Sequence, residues 1–492
     1  MIGPALTQRL RDGALPKAHA LIDGQWTDAP ARFEVRDPAT GHLLAVVANC
    51  GAEQARDAIA AAQGALPGWR DKTALERATV LRRWFELIQA HADDLATLIT
   101  AEQGKPWREA HGEVAYGASF VEWFAEEARR AYGECVPSAQ AGKRLLVIRQ
   151  AIGVCAAITP WNFPVAMITR KVAPALAAGC TVVVKPAEQT PLSALALAEL
   201  AQRAGMPPGV FNLLPADGAQ SVAIGQALCE SPVVRHLSFT GSTEVGRLLM
   251  RQCAPTVKKL ALELGGNAPF IVFDDADLDS AVEGALLSKF RNGGQTCVCT
   301  NRFYVQEGVY ERFVERLAER ARTEIRLGNG FEAGTTQGPL IDAEALRKVE
   351  RLVEDALALG ARLVTGGHRV DARFYAPTVL ADATPAMRCA HEEIFGPVAT
   401  VFRFRDEAEV VAAANASETG LASYLYTRDI GRLMRVAEAL EAGMVGINTG
   451  LISTAEAPFG GVKQSGLGRE GGRAGLDEYL EAKYLCLGDL QR

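Results

Sequence analysis

Residues 166–205 read AMITRKVAPALAAGCTVVVKPAEQTPLSALALAELAQRAG, and this stretch sets the fold class of the chain. Apolar residues recur at helical spacing until Gly179, where a helix is expected to end. TVVVKP is a short apolar strand closed by Pro186, and the Ala/Leu run after it is again helical. Helices on both sides of a buried strand are typical of a parallel sheet with helical crossovers. The sequence therefore predicts an α/β fold.

The same alternation extends along the rest of the chain. LLVIRQ and VCAAI predict strands before this stretch, and after it come VFNLL, a helix near residues 219–228, VRHLSF and a helix from about residue 243. A second alternating region starts with APFIVF at residue 268 and includes a helix over about 277–290, RFYVQ, YERFVERLAERARTEI, VATVFRF and SYLYT. Two α/β domains are the economical interpretation, and the mostly helical N-terminal 130 residues are expected to pack on the first sheet.

Composition excludes several classes of protein. The 492 residues are 48% hydrophobic with a formal net charge of −6, which allows a large core and leaves no basic surplus for nucleic acid or anionic lipid. No apolar run approaches the roughly 20 residues that span a bilayer, and the N-terminus lacks the apolar segment of a secretory signal. We therefore expect a globular, cytoplasmic protein without nucleic-acid or membrane partners.

The segment FRNGGQTCVCTN, residues 290–301, places two of the ten cysteines among polar residues. Most of the others have apolar neighbours, as reduced core cysteines do, and none shows a paired metal spacing, so no metal site is predicted. Cys297 and Cys299 follow the expected end of a helix, where we predict an open polar loop. A thiolate on such a loop would be solvated and reactive.

A thiol nucleophile usually needs a base. The seven histidines show no recognisable Cys-His signature. Glu263, in LELGGNAP, is the better candidate because it stands at an expected strand end before two glycines, where another backbone can approach closely. The alternative is an ordinary charge at the end of a strand.

The segment FTGSTEVGRLL, residues 239–249, follows a strand and opens a helix. Backbone N–H groups near Gly241 and Ser242 could therefore face a phosphate. Arg247 and Leu248 stand where an ATP-binding loop needs Lys and Ser or Thr, which disfavours a nucleoside triphosphatase. A plain turn between strand and helix stays open as the alternative.

The acidic segment DDADLD, residues 274–279, resembles the start of a calcium loop. Ser280 and Leu286 occupy the positions where such a loop needs Gly and a bidentate Glu. A solvated helix N-terminus, which the helix dipole favours, is the preferred interpretation.

Seven motifs, in order along the chain, resemble those of the aldehyde dehydrogenase superfamily. They are TPWNFP (159–164), VVKPAEQTP (183–191), FTGSTEVG (239–246), LELGGNAP (262–269), GQTCVCTNR (294–302), EEIFGPV (392–398) and PFGGVKQSGLGREGG (458–472). Residues 167–200, the Cys-x-Cys motif and the ending GLDEYLEAKYLCLG look most similar to the succinate-semialdehyde dehydrogenase branch. The resemblance covers nearly the whole chain from about residue 20.

The resemblance implies the catalytic residues. Cys297 would attack an aldehyde to form a thiohemiacetal, which becomes a thioester once hydride has left. Glu263 would activate the water that hydrolyses this thioester. Asn162 would donate its side-chain N–H to the oxyanion, together with the backbone N–H of Cys297.

The resemblance also implies a nicotinamide cofactor, NAD in preference to NADP. The ribose of the adenosine would bind Lys185 and Glu188, whose carboxylate would repel a 2′-phosphate. The cofactor residues implied in full are Thr159, Trp161, Lys185, Glu188, Gly241, Ser242, Glu393 and Phe395. Among them, Gly241 and Ser242 would hold the pyrophosphate, and Glu393 and Phe395 the nicotinamide end.

The implied substrate is a semialdehyde with a distal carboxylate. Arg170, Arg291 and Ser453 match the positions that bind this group in the succinate-semialdehyde branch. Lone arginines in ordinary ion pairs are the structural alternative. Glutarate semialdehyde competes with succinate semialdehyde because one methylene changes binding by only about 1–3 kcal/mol.

The implied architecture has three parts. A doubly wound cofactor-binding domain would comprise residues 1–131 and 153–264, and a second α/β catalytic domain residues 265–477. Residues 132–152 and 478–492 would form a small β arm that builds a homodimer or homotetramer.

Two other functions stay open at the level of the sequence. A Cys-dependent thioesterase or acyltransferase would use the same thiol without a dinucleotide. A catalytically silent binding protein could keep only the fold. Cys299 adds a redox possibility, because a disulfide with Cys297 would block the nucleophile if the loop distorts enough to allow it.

Overall fold

The computed structural model describes residues 1–489, so residues 490–492 of the predicted arm lie outside the described residues. The α-helices are α1 (Pro4–Thr7), α2 (Ala52–Arg70), α3 (Ala74–Ala90), α4 (Ala92–Gln103), α5 (Trp107–Glu127), α6 (Ala166–Ala178), α7 (Pro191–Arg203), α8 (Gly218–Glu230), α9 (Thr243–Cys253), α10 (Leu278–Phe290), α11 (Tyr310–Glu324), α12 (Ala343–Ala358), α13 (Glu407–Asn415), α14 (Ile430–Ala439) and α15 (Gly472–Asp477). The strands are β1 (Ala20–Ile22), β2 (Gln25–Thr27), β3 (Ala31–Arg36), β4 (Leu43–Asn49), β5 (Glu134–Val136), β6 (Arg144–Ala151), β7 (Val154–Ile158), β8 (Thr181–Lys185), β9 (Phe211–Leu213), β10 (Val234–Thr240), β11 (Lys259–Glu263), β12 (Ala268–Val272), β13 (Thr300–Gln306), β14 (Arg362–Thr365), β15 (Thr378–Ala381), β16 (Val398–Phe404), β17 (Thr419–Gly420), β18 (Ala422–Tyr426), β19 (Met444–Ile447), β20 (Val462–Lys463), β21 (Gly466–Leu467) and β22 (Leu480–Leu487).

The first large sheet has eight strands in the order β2-β1-β9-β8-β7-β10-β11-β21. Its five central strands, from β9 to β11, are parallel. Both faces are buried: Val182 and Val184 of β8 pack in a cluster with residues of α6 and α7, whereas Val183 packs with residues of α2 and α8. Helices on both faces of parallel strands form the doubly wound arrangement that the sequence implies.

The second large sheet has seven strands in the order β14-β15-β16-β13-β12-β18-β19. All neighbours are parallel except β14, which pairs antiparallel with β15. Phe270 and Val272 of β12 pack with residues of α10 and α11, and Ile271 between them packs with residues of α12 on the other face. The α/β class predicted from alternating strands and helices is confirmed.

A third sheet forms the arm. Its order is β22-β6-β5, and β22 pairs antiparallel with the whole of β6, from Leu480 opposite Ala151 to Leu487 opposite Arg144. These strands fall within the predicted arm residues. Nearly all of β22 is exposed in the single chain.

The structure differs from the sequence-based boundaries near the C-terminus. The short strand β21 pairs with Leu262 and Glu263 at the end of β11, so it completes the first sheet although it lies within the range 265–477. At the other edge, β1 and β2 extend the same sheet from a region expected to be mostly helical. Both pairings join distant residues, which local periodicity does not reveal. The domain boundaries themselves stay predictions.

Every helix within residues 1–489 is too short or too polar to cross a bilayer.

Candidate active site

The chain path creates a cleft at the carboxyl ends of the first sheet. From β7 the next strands, β8 and β9, are added on one side, whereas β10 and β11 are added on the other side. Ligands of doubly wound sheets bind where the strand order reverses in this way. A cavity of about 970 Å³ opens there, and it brings together Trp161, Asn162, Gly241, Ser242, Cys297, Glu393 and Phe395.

One wall of the cavity is the turn between β10 and α9. Ser242 caps α9, because its hydroxyl accepts a hydrogen bond from the Val245 N–H at 3.3 Å. Any side chain at Gly241 would collide with the ring of Phe239. The turn therefore exposes backbone at a helix N-terminus, which suits a phosphate.

Three of the predicted cofactor residues lie at the ends of β7 and β8, beyond the residues that line the cavity. The N–H of Thr159 donates to the carbonyl of Lys185 at 3.1 Å, which joins the two strand ends. The Nζ atom of Lys185 lies 3.4 Å from Oε2 of Glu188. Burial lowers the pKa of Lys185, while the side chain of Glu188 is 37% exposed and can accept hydrogen bonds from a ligand.

Glu393 and Phe395 also line the cavity. The carboxylate of Glu393 accepts a hydrogen bond from the Gly266 N–H at 3.1 Å, and burial raises its pKa to about 7. Phe395 has a positive φ of 53°, a strained conformation for a residue with a side chain. Its ring stands edge-on to that of Trp161, with centroids 5.6 Å apart and planes at 89°.

The segment around Cys297 is buried, which corrects the prediction of an open polar loop. A turn over Arg291–Gly294 follows α10, with Asn292 and Gly293 in left-handed conformations (φ of 51° and 61°), and Gln295 and Thr296 after it are almost fully buried. Gln295 satisfies its amide by accepting from the Ile341 N–H at 2.9 Å and donating to the Asn292 carbonyl at 3.1 Å. Polar residues can be buried here because distant segments complete their hydrogen bonds.

The thiol of Cys297 reaches the cavity from this buried segment. Burial raises its pKa to about 12, although the nearby charge of Arg170 opposes the shift. A thiol with this pKa is protonated at neutral pH and needs a base to become a nucleophile.

Glu263, at the end of β11, supplies a carboxylate beside the thiol. It is 2% exposed, and its Oε2 atom has no hydrogen-bond partner among residues 1–489. Burial and then the neighbouring Glu470 raise its pKa well above the usual value for a glutamate. The raised pKa makes the carboxylate, when ionised, a stronger base than an ordinary glutamate, which suits a general base.

Asn162 is held by two segments of the site. Its side-chain N–H donates to the carbonyl of Gln295 at 3.1 Å. Its own carbonyl accepts hydrogen bonds from Nζ of Lys105 at 2.7 Å and from the side chain of Asn292 at 3.0 Å. One N–H of the Asn162 amide is left for another acceptor.

Cys299 is buried instead of exposed on a loop. Its thiol lies 3.2 Å from the carbonyl of Lys289, to which it donates. Both thiols are free. A disulfide between Cys297 and Cys299 stays a prediction.

The three predicted substrate residues are not among the residues that line the cavity. Arg170 is fully buried on α6, forms an ion pair with Glu470 and lies 4.3 Å from the ring centroid of Phe459. Arg291 is half-buried over Phe163, 5.4 Å from its centroid. Ser453 is half-buried in the loop after β19.

Sequence reasoning missed several buried polar residues around the site. Glu470 pairs with both Arg170 and Lys171, and the hydroxyl of Tyr116 is buried without a hydrogen-bond partner in the described part of the chain. Lys105 and Glu470 stand in glycine-containing motifs, EQGKP and GREGG. A charged residue beside glycine was the available sequence signal for these sites. It does not indicate which distant residue the charge contacts.

The acidic segment 274–279 holds a loop together. Asp277 caps α10, and Asp275 accepts hydrogen bonds from Thr427, the Arg428 N–H and Arg432. Within residues 1–489, no group of three or more His, Cys, Asp or Glu residues is arranged to bind a metal ion.

Comparisons with known proteins agree with this geometry. The profile described as "Aldehyde dehydrogenase family" matches residues 26–485. The chain is 61% identical over 487 residues to the 3-sulfolactaldehyde dehydrogenase of Pseudomonas putida, which covers 98% of this chain and 99% of the relative. It is 59% identical over 484 residues to the succinate-semialdehyde dehydrogenase GabD of Escherichia coli (strain K12), whose name specifies NADP(+), with 98% and 100% covered. The crystal structure of succinate-semialdehyde dehydrogenase from Burkholderia pseudomallei superposes with a TM-score of 0.96 at 60% identity, with 97% of this chain and 99% of that one covered.

Proposed function

Since the chain belongs to the aldehyde dehydrogenase family, we propose that it oxidises an aldehyde with an acidic group at its far end, with succinate semialdehyde to succinate as the foremost reaction. The aldehyde, water and NAD(P)⁺ give a carboxylate, NAD(P)H and two protons. The resemblance to the succinate-semialdehyde branch and a 59% identical relative named for this substrate support the proposal.

One observation supports an acidic group at the far end of the substrate. The guanidinium of Arg170 is fully buried near Cys297, and its Nη1 and Nη2 atoms have no hydrogen-bond partner among residues 1–489. Leaving the donors of a buried charged group unpaired costs stability, so they are expected to serve a ligand. A carboxylate offers two oxygens that match the guanidinium geometry.

Other groups near Arg170 suit the same acidic end. The Tyr116 hydroxyl is buried and unpartnered within the described residues, and both Arg170 and Arg291 are close enough to influence its pKa. Ser453 would add a hydroxyl donor, as the resemblance implies. The relative named for 3-sulfolactaldehyde indicates that a sulfonate is a second candidate for this end, and glutarate semialdehyde is a longer carboxylate.

The proposed chemistry uses three side chains. Glu263 takes the proton from the Cys297 thiol, and the thiolate attacks the aldehyde carbon to give a thiohemiacetal. The free N–H of Asn162 and the backbone N–H of Cys297 stabilise the oxyanion; one such donor is typically worth about 3–4 kcal/mol of barrier. When bound, NAD(P)⁺ would supply the acceptor for the hydride that leaves this carbon, and a thioester on Cys297 remains. Glu263 releases the thiol proton to solvent, and its carboxylate then takes a proton from the water that attacks the thioester, which frees the acid and the Cys297 thiolate.

The cleft fits a dinucleotide. It combines an exposed helix N-terminus at Gly241 and Ser242 with the carboxylate of Glu393 for the nicotinamide end. Beyond the cavity lining, the half-exposed carboxylate of Glu188 is available for the adenosine ribose. We propose NAD as the preferred form, because Glu188 accepts from ribose hydroxyls and repels a 2′-phosphate. The relative whose name specifies NADP(+) makes this preference a property to be measured.

We also propose that the arm makes the enzyme a homodimer or homotetramer. It exposes apolar side chains in the single chain, namely Val136, Tyr484, Leu485 and Leu487. Apolar residues concentrated on one exposed ribbon usually mark a protein interface. Light scattering gives the molecular mass of the wild type and of Leu485→Asp in solution and so tests the proposal. A monomeric wild type would contradict it.

The function itself is tested by steady-state kinetics with an aldehyde panel. Succinate semialdehyde, glutarate semialdehyde, 3-sulfolactaldehyde and butanal are compared with NAD and with NADP. We expect kcat/KM for at least one acidic aldehyde to exceed that for butanal by tenfold or more. Equal values for acidic and neutral aldehydes would contradict the proposal.

A further inference from the structure

Lys105 is buried beneath the active site. It lies between α4 and α5, directly after Gly104, which adopts a left-handed conformation with φ of 93° and ends α4. The reversal turns the lysine inward, and its side chain is completely buried. Its ammonium is therefore shielded from solvent.

The ammonium makes three contacts, two of them to the segment that carries Asn162. Its Nζ donates to the main-chain carbonyl of Asn162 at 2.7 Å and lies 3.8 Å from the ring centroid of Phe163. The third contact is an ion pair with Glu113 at 2.6 Å. Burial lowers the pKa of Lys105, and the charge of Glu113 opposes that shift.

Glu113 binds the same segment from its other oxygen. Oε1 accepts the Val165 N–H at 2.9 Å, just before α6 begins. The ion pair therefore holds the segment at two points, the Asn162 carbonyl and the Val165 N–H three residues later. A second support comes from Asn292, which donates to the Asn162 carbonyl at 3.0 Å and is itself oriented by Gln103 at 3.0 Å.

We propose that Lys105, paired with Glu113, is a positioning residue that aims the amide of Asn162 at the oxyanion formed on Cys297. The inference rests on the oxyanion role of Asn162 in the proposed function. One N–H of this amide is committed to the Gln295 carbonyl, so fixing the main chain of Asn162 fixes the direction of the other N–H. A misplacement of about 1 Å at a reacting group can cost roughly a hundredfold in rate.

A purely structural ion pair is the alternative, and it makes a different prediction. Buried ion pairs often contribute little beyond avoiding an unpaired charge. Loss of a structural pair would lower the amount of folded enzyme and its melting temperature, but not the turnover of each folded active site. The two roles therefore separate once kcat is expressed per reactive Cys297 thiol.

The test compares Lys105→Met, Lys105→Arg, Asn162→Ala and the double variant Lys105→Met/Asn162→Ala. Active sites are counted as the fraction of Cys297 that iodoacetamide alkylates, read by peptide mass spectrometry because the exposed Cys135 and Cys486 also react, and kcat is measured with succinate semialdehyde and with butanal. We expect Lys105→Met to lower kcat per site by about 10- to 100-fold with both aldehydes, and NAD binding to change less than twofold. The double variant should be no slower than Asn162→Ala, because Lys105 acts through Asn162.

Lys258→Met is the matched control. Its ammonium is also buried and donates to two carbonyls, those of Ser231 at 2.8 Å and Val234 at 3.1 Å, at the far end of β10 from the cleft. The control should lose stability and keep kcat per site. Lys105→Arg keeps a positive charge beside Glu113 but cannot place a single nitrogen where Nζ lies, so it should show a kcat loss even if Lys105→Met fails to fold.

Unchanged kcat per site in Lys105→Arg and in any folded Lys105→Met would overturn the inference, provided Asn162→Ala is impaired. If Asn162→Ala itself keeps full kcat, the oxyanion role in the proposed function is wrong instead. Strictly additive losses in the double variant would also overturn the inference, because they would mean that Lys105 acts independently of Asn162.

Discussion

The side-chain amide of Asn162 donates a hydrogen bond to the main-chain carbonyl of Gln295 at 3.1 Å. Asn162 follows a strand of the first sheet, and Gln295 stands two residues before Cys297 in a segment that leads to the second sheet. The proposed oxyanion donor is thus joined to the segment that carries the proposed nucleophile, although the two segments adjoin different sheets. Preorganisation of this kind lets a donor stabilise developing charge without rearranging during the reaction.

The first prediction separates the two neighbouring thiols. Cys297→Ala should abolish NADH formation and leave NAD binding intact, because the thiol is the attacking group and the substitution removes only one sulfur atom from the cavity lining. Cys299→Ala should keep substantial activity, since its thiol is turned to the Lys289 carbonyl. Both variants are assayed by NADH formation and by NAD titration; activity that survives in Cys297→Ala would refute the mechanism.

The second prediction concerns pH. The pKa of the Cys297 thiol is raised to about 12, so between pH 6 and 9 the thiolate fraction should rise about tenfold per unit. Inactivation of the cofactor-free enzyme by iodoacetamide should follow the same slope. The loss of activity is followed instead of total alkylation, because the exposed Cys135 and Cys486 also react with the reagent. A rate that levels off near neutral pH would show instead a thiolate that the protein stabilises.

The third prediction is a cofactor switch. Glu188→Ser removes the carboxylate that opposes a 2′-phosphate, so the ratio of kcat/KM with NAD to that with NADP should fall by tenfold or more. Thr190, two residues away, is buried and serves as a position for a control, Thr190→Ser, that should leave the ratio unchanged. If the wild type already prefers NADP, the assignment of Glu188 is wrong.

The fourth prediction tests the loop that carries Glu393. Asn301 is buried, donates to the carbonyl of Glu392 at 3.0 Å and accepts from the Ile394 N–H at 3.0 Å. Asn301→Ala leaves these groups unpaired, which costs about 1–3 kcal/mol each in the free energy of unfolding. Denaturant unfolding should show this loss, and KM for NAD should rise because the backbone on both sides of Glu393 is held less firmly, leaving the Gly266 N–H as the contact to its carboxylate. An unchanged KM in a destabilised variant would limit Asn301 to stability.

Local patterns predicted the elements well, and long-range contacts account for what they missed. The strand VATVFRF matches β16, and the helix predicted from Pro191 matches α7, because periodicity and end signals are local. The burial of Gln295 was not predictable, since its partner Ile341 is 46 residues away. The contact of Lys105 was not predictable for the same reason, because only the folded chain shows that its ammonium donates to the Asn162 carbonyl.

The last prediction concerns the acidic end of the substrate. Arg170→Ala and Arg291→Ala should each lower kcat/KM for succinate semialdehyde by about 10- to 100-fold, because hydrogen bonds to charged groups contribute roughly 1.5–3 kcal/mol. Butanal, which has no distal charge, should be affected far less in the same variants. Arg170→Ala also leaves Glu470 with Lys171 as its remaining partner, so its melting temperature should fall.

Arg291 has no partner in the ion pairs of the described residues, although its charge acts on the pKa of the nearby Glu109, and Arg291→Ala therefore tests substrate binding without removing an ion pair. Tyr116→Phe extends the test, since it removes one hydroxyl and keeps the ring. A loss for succinate semialdehyde that is absent for butanal would support a hydroxyl donor at the acidic end. If both arginine variants keep the wild-type preference for succinate semialdehyde over butanal, the distal group is recognised elsewhere, and the unpaired donors of Arg170 must be satisfied by water instead of substrate.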